Sequence, residues 1–96
     1  MLATRRAVVV AVVEPDEHIR DTVRVLLEIE FGLTVQTAPD IQSVLSALPS
    51  GQLLAALVTP KVEVLQDVPT IVYGGVPLDA VTILSGVRAA LAKKLT

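Results

Sequence analysis

The stretch Ala7-Val8-Val9-Val10-Ala11-Val12-Val13, followed at once by Glu14-Pro15-Asp16-Glu17, decides how the rest of the chain is read. It is nearly all Val, and β-branched side chains favour strands. No polar residue interrupts it, so neither face of this strand is marked for solvent. A strand that is apolar on both faces belongs in the middle of a parallel sheet, with helices packed on either side. Glu14-Pro15 ends it. Asp16 is then a good helix N-cap, and Glu17 places negative charge in the first turn.

The next segments extend the pattern. Ile19, Val23, Leu26 and Leu27 fall at helical spacing, Arg24 and Glu28 form an i,i+4 pair, and Gly32 suits the left-handed position that stops a helix. Leu33–Thr37 reads as a short strand with Leu33 and Val35 on one face. Asp40 caps a second helix whose stripe is Ile41, Val44, Leu45 and Leu48, ended by Pro49-Ser50-Gly51. Leu53–Val58 is another uninterrupted apolar run and predicts a second central strand. Thr70–Tyr73, between Pro69 and Gly74-Gly75, predicts a fourth. From Leu78 to about Lys94 a long helix is expected, with Val81, Leu84, Val87 and Leu91 as its stripe and Lys93 and Lys94 at the negative end of its dipole. Strands alternating with helices imply an open parallel α/β sheet, here of about four strands and three helices in one domain, residues 1–96. Pro60–Val68 is the irregular piece. It is short for a parallel crossover, and Val62, Val64, Leu65 and Val68 fit neither period. One helical turn, an extended crossover and a short extra strand all remain open for it.

Composition narrows the function. The chain has 96 residues, enough for one core. A hydrophobic content of 52% and a mean hydropathy of +0.66 exclude a disordered tail. The apolar runs are far shorter than the roughly 18–20 residues that cross a bilayer. Arg5-Arg6 ahead of Ala7–Val13 resembles an export signal only faintly, because Glu14 closes the run and no small-x-small site follows. The expected location is therefore the cytoplasm. A net charge of −2, one Phe, one Tyr and no Trp give little for nucleic acid or an anionic membrane to bind. With no Cys there is no disulfide, thiol nucleophile or Cys-ligated metal. No G-x-G-x-x-G and no Walker lysine are present, and His18 has no Ser or Asp partner at catalytic spacing. Glu14, Asp16, Glu17 and His18 do gather where open α/β sheets bind ligands, and a hard cation such as Mg²⁺ uses carboxylates. Helix capping and a solvated acidic turn are the favoured explanation for them, and no cofactor is expected.

The segment Val8 to Asp21, with its apolar strand, acidic end and Ile19-Arg20 helix start, resembles the opening of the receiver domains of bacterial response regulators. Leu26-Leu27-Glu28, Gly32 to Ala38, Val76-Pro77-Leu78-Asp79 and Val87-Arg88-Ala89-Ala90-Leu91 continue the likeness. The resemblance implies a flavodoxin-like, three-layer sheet, shortened in its second half. It also implies a two-component, phosphorelay type of function, and here the departures matter. Receivers hold Mg²⁺ with acids after the first strand, where this chain has Glu14 and then Pro15, with Asp16 matching a third acid that is sometimes present. The phosphate-accepting Asp matches Thr59, which cannot form an acyl phosphate. The family's Lys matches Val76. The switch Ser/Thr matches Gly74 if Thr70–Tyr73 is the fourth family strand, and is deleted if it is the fifth. By the same likeness Val76-Pro77 is expected to be a cis peptide.

These readings converge on a non-enzymatic, phosphorylation-independent receiver-like module that acts by protein association. The alternatives are a phosphoacceptor using Asp16 or another nearby acid, and a small-ligand or metal sensor at the Glu14/Asp16 edge. A DNA-binding regulator is disfavoured. In the family, the first and last helices cover one sheet face and the middle three the other; only one of those three is kept here. The second face is therefore expected to expose large Val and Leu side chains. Homodimerisation around Val62, Val64 and Leu65 would cover it. The competing expectation is that the last helix moves across and the chain stays monomeric.

Overall fold

A computed structural model describes residues 7–47, 52–61, 68–74 and 78–95. They form β1 (Ala7–Val13), α1 (Glu17–Phe31), β2 (Thr34–Ala38), α2 (Ile41–Ala47), β3 (Gln52–Thr59), β4 (Thr70–Val72) and α3 (Ala80–Leu95). All strand pairs are parallel, and the order across the sheet is β2-β1-β3-β4. This is the order of the first four strands of the flavodoxin-like arrangement, so the fold is a shortened flavodoxin-like α/β sheet. Residues 60–69 alone connect β3 to β4, fewer than a helical crossover normally uses.

The local signals for the first two helices act as expected. Asp16 Oδ1 accepts the backbone N–H groups of His18 (2.9 Å) and Ile19 (3.1 Å), so the first orphan donors of α1 are satisfied. Gly32 stops α1 at φ 62°, and its N–H donates to the Glu28 carbonyl at 2.8 Å. Asp40 Oδ1 accepts from Ser43 N–H at 2.8 Å and starts α2. The last helix begins later than Leu78: Asp79 is its cap, accepting from the Thr82 N–H (3.1 Å) and Thr82 hydroxyl (2.7 Å).

Helices α1 and α3 share one face of the sheet and α2 lies on the other. Val23 and Leu27 of α1 and Ile83, Val87, Ala90 and Leu91 of α3 close over Val10, Val12, Val35, Val58, Ile71 and Tyr73. Across the sheet, Val44 of α2 packs with Ala11, Val13, Ala38, Leu54 and Leu57, helped by Ile41 and Val68. An Arg88–Glu30 ion pair at 2.9 Å and the Arg88 guanidinium 5.8 Å from the Phe31 ring centroid join α3 to the end of α1.

Several expectations need correction. Val81 is 74% exposed and the buried face of α3 is turned toward Ile83, Val87 and Ala90; Leu45 of α2 is 42% exposed. In both helices an apolar residue beside the buried one left the stripe ambiguous. The second sheet face is not bare along the central strands, since Ala11, Val13, Leu54 and Leu57 are buried within one chain. Small side chains at Ala11 and Ala38 reduce what α2 and Val68 must cover. The last helix has not crossed over; it stays beside α1. Finally, Val9 pairs with Leu54 and Val10 with Ala56, so Ala55 is an additional residue in β3. This bulge puts Leu54 and Leu57, three apart, on the same face.

Candidate functional site

The carboxyl ends of β1, β3 and β4 deliver three polar side chains to one edge of the sheet: Glu14, Thr59 and Tyr73. Glu14 continues β1, its N–H donating to the Ala38 carbonyl at 3.0 Å, and it is only 5% exposed. A carboxylate buried to that degree is costly unless its oxygens are bonded. Oε2 accepts the Asp16 N–H at 2.8 Å, and Oε1 accepts the Tyr73 hydroxyl. Arg20 Nη1 donates to the Glu14 carbonyl at 2.8 Å, which ties the first turn of α1 to the end of β1.

Tyr73 reaches Glu14 from the far side of an intervening strand. Its backbone N–H donates to the Thr59 carbonyl at 3.1 Å, so it extends the β3–β4 ladder by one residue. Its ring belongs to the core beneath α1 and α3, and its hydroxyl spans the end of β3 to the carboxylate on β1. Burial first, then the bond to Glu14 and the charges of Glu14 and Asp16, push the phenol pKa well above its ordinary value. In this pair the phenol O–H donates and the carboxylate oxygen accepts.

Thr59 is fully buried at the end of β3, and its Oγ accepts a long bond, 3.4 Å, from Lys61 N–H. With Val13, Pro15, Ile41 and Lys61 it lines a hollow of about 110 Å³. That is well below the roughly 300 Å³ at which small-molecule sites begin. Pro15 is exposed and offers no side-chain donor or acceptor, and exposed Asp16 uses its Oδ1 for the cap. Gly74 follows β4 at φ 74°, a conformation that L side chains rarely adopt, so a hydroxyl-bearing residue there would be strained. Val76, the Val76-Pro77 peptide and the proposed association residues Val62, Val64 and Leu65 lie outside the described residues.

A second hollow, about 260 Å³, lies between the start of α1 and β2 and is lined by Glu17, His18, Arg20, Asp21, Arg24 and Thr37. Its charges are largely matched. Arg24 donates to Asp21 (2.5 Å) and Glu28 (2.7 Å), and the bond and charge of Asp21 chiefly raise its pKa. Among the described residues, every buried side-chain nitrogen and oxygen has a hydrogen-bond partner, and no three His, Cys, Asp or Glu side chains converge as a metal cluster.

The structure therefore brings Glu14 and Thr59 to one edge, as their strand-end positions predict, but gives them different faces and neighbours. Tyr73 is the residue that sequence reasoning passed over. The available signal was its uniqueness: it is the only Tyr in the chain, and it stands at the carboxyl end of a strand directly before a glycine turn. Comparison of the chain with protein-family models, with curated proteins and with solved structures finds no match.

Proposed function

We propose that the chain is a receiver-like signalling module that works by binding protein and not by accepting phosphate. The observation that carries this reading is that each strand-end group is already committed within the fold. Thr59 is buried and holds no carboxylate, both oxygens of Glu14 accept internal donors, and Asp16 caps α1. A Mg²⁺ ion needs six oxygen ligands in near-octahedral array. Pro15 supplies none, and each oxygen of the buried Glu14 already accepts an internal donor, Tyr73 or Asp16. The flavodoxin-like strand order and the receiver-like segment from Val8 to Asp21 support the class.

The proposed partner is a protein, in the first instance a second copy of the chain, with no nucleic acid and no membrane, in the cytoplasm. Among the described residues no helix is long and apolar enough to cross a membrane. The apolar side chains left in solvent include Val72 on the edge strand β4, 37% exposed, and Val81 at the start of α3. Native mass spectrometry after incubation with acetyl phosphate and Mg²⁺ tests both parts at once. The expected spectrum is a dimer with no phosphoryl adduct. A stoichiometric, acid-labile adduct would overturn the phosphate-independent reading, and a monomer at micromolar concentration would remove self-association.

A further inference from the structure

The bond between Tyr73 and Glu14 joins two strands that are not neighbours. β3 lies between them, so no backbone ladder connects β4 to β1 directly. β4 is also the weakest strand of the sheet by length, with three residues paired to β3 alone. Two residues before Tyr73, on the same face, Ile71 meets α3 at Gly86. The fit is so close that a Cβ on Gly86 would stand 2.6 Å from Ile71 Cγ1. There is no side chain at residue 86 to absorb a displacement of Ile71. A shift of β4 is therefore transmitted to the helix backbone, because packed interiors resist compression.

We propose that Tyr73 is a positioning residue that couples Glu14, at the ligand edge of the sheet, to the seat of helix α3. The chain of contacts is short and continuous: Glu14 carboxylate, Tyr73 hydroxyl, β4 backbone, Ile71 side chain, Gly86. Helix α2 stands outside it, on the opposite face. A donor or cation that draws the Glu14 carboxylate away from Tyr73 breaks this bond, and α3 then loses its anchor at the edge while α2 does not. This coupling does not depend on the nature of the partner or on phosphate chemistry.

Amide hydrogen exchange of the intact chain, read by element, tests it. In Tyr73→Phe the amides of β4 and α3 are expected to exchange about tenfold faster or more, the loss of one hydrogen bond to a charged acceptor expressed as a local opening equilibrium. Those of α2 are expected to stay close to the wild-type rate. Glu14→Ala enters the same bond from the other side and should speed the same two elements. The double variant should then affect α3 no more than the stronger single one. Uniform acceleration across all elements, or outright unfolding, would mean that the bond only contributes to global stability and would overturn the coupling. Unchanged exchange in α3, or additive effects of the two substitutions there, would overturn it equally.

Discussion

Gly86→Ala is a substitution whose sign depends on one contact. In an exposed helix interior, replacing Gly by Ala stabilises by about 1 kcal/mol through helix propensity. At residue 86 the new Cβ would lie 2.6 Å from Ile71 Cγ1 and 3.1 Å from Cγ2. Carbon atoms in favourable contact sit about 3.5–4.0 Å apart, so the shortfall approaches 1 Å. Ile71 is branched at Cβ and 9% exposed on β4, and its Cγ1 is not the free end of a flexible chain. Overpacking of this kind costs about 1–3 kcal/mol, against the gain of about 1 from propensity. The expected net effect is a destabilisation of up to about 2 kcal/mol. For a domain of this size each kcal/mol lowers Tm by about 4–8 °C. Thermal unfolding followed by circular dichroism gives the first measurement. The second is the same substitution in an Ile71→Ala background, itself destabilised by about 2–5 kcal/mol. There the obstructing atoms are gone, and Gly86→Ala should turn stabilising by about 0.5–1 kcal/mol. A Gly86→Ala single variant more stable than the parent, or no change of sign between the two backgrounds, would refute the close seating of α3 on β4.

Two further outcomes follow from burial and capping. Leu57→Ala, at a fully buried site facing α2, should cost about 2–5 kcal/mol, whereas Leu45→Ala, on the half-open side of α2, should stay within about 0.5 kcal/mol in urea unfolding. The Asp79 carboxyl is held below its usual pKa, mainly by the Thr82 hydroxyl and then the Thr82 N–H, and that of Asp40 by the Ser43 N–H. A depressed folded-state pKa contributes stability that is complete above the unfolded value near 4 and is lost as pH falls through the folded one. Urea midpoints should therefore decline below about pH 4, and Asp79→Asn with Asp40→Asn, which cap without titrating, should reduce that slope. An unchanged slope would show that other carboxyls control acid stability.

What could be read from the sequence was local. The Val run of β1, the caps Asp16 and Asp40, the stop at Gly32 and the Arg24–Glu28 pair each depend on residues within about one turn of one another. The features that could not be read are non-local or degenerate. Tyr73 and Glu14 are 59 positions apart, and only the sheet order brings them together. The face of α3 was ambiguous because Val81, Ile83, Leu84 and Val87 are all apolar, so periodicity alone does not separate the exposed Val81 from the buried Ile83. At the edge itself, residue type identified the lack of an acid at Thr59 and Pro15. It did not show that Glu14 is already bonded on both oxygens, because one of its donors comes from a strand two places away.

The bulge at Ala55 governs what kinds of change β3 can accept. A central strand built of Leu, Ala and Val has few marks by which one alignment differs from the next, and a slip of one position exchanges its two faces. The additional residue divides β3 into two phases, one before Ala55 and one after it. Flattening the bulge with Ala55 kept in the ladder would invert everything beyond, turning Leu57 toward the layer of α1 and α3 and Val58 toward α2, whereas deleting Ala55 would bring Leu54 and Leu57 to the ordinary two-residue spacing and leave both on their present face. In evolutionary terms this strand can lose the residue at its bulge and keep its two faces, but it cannot keep that residue and lose the bulge.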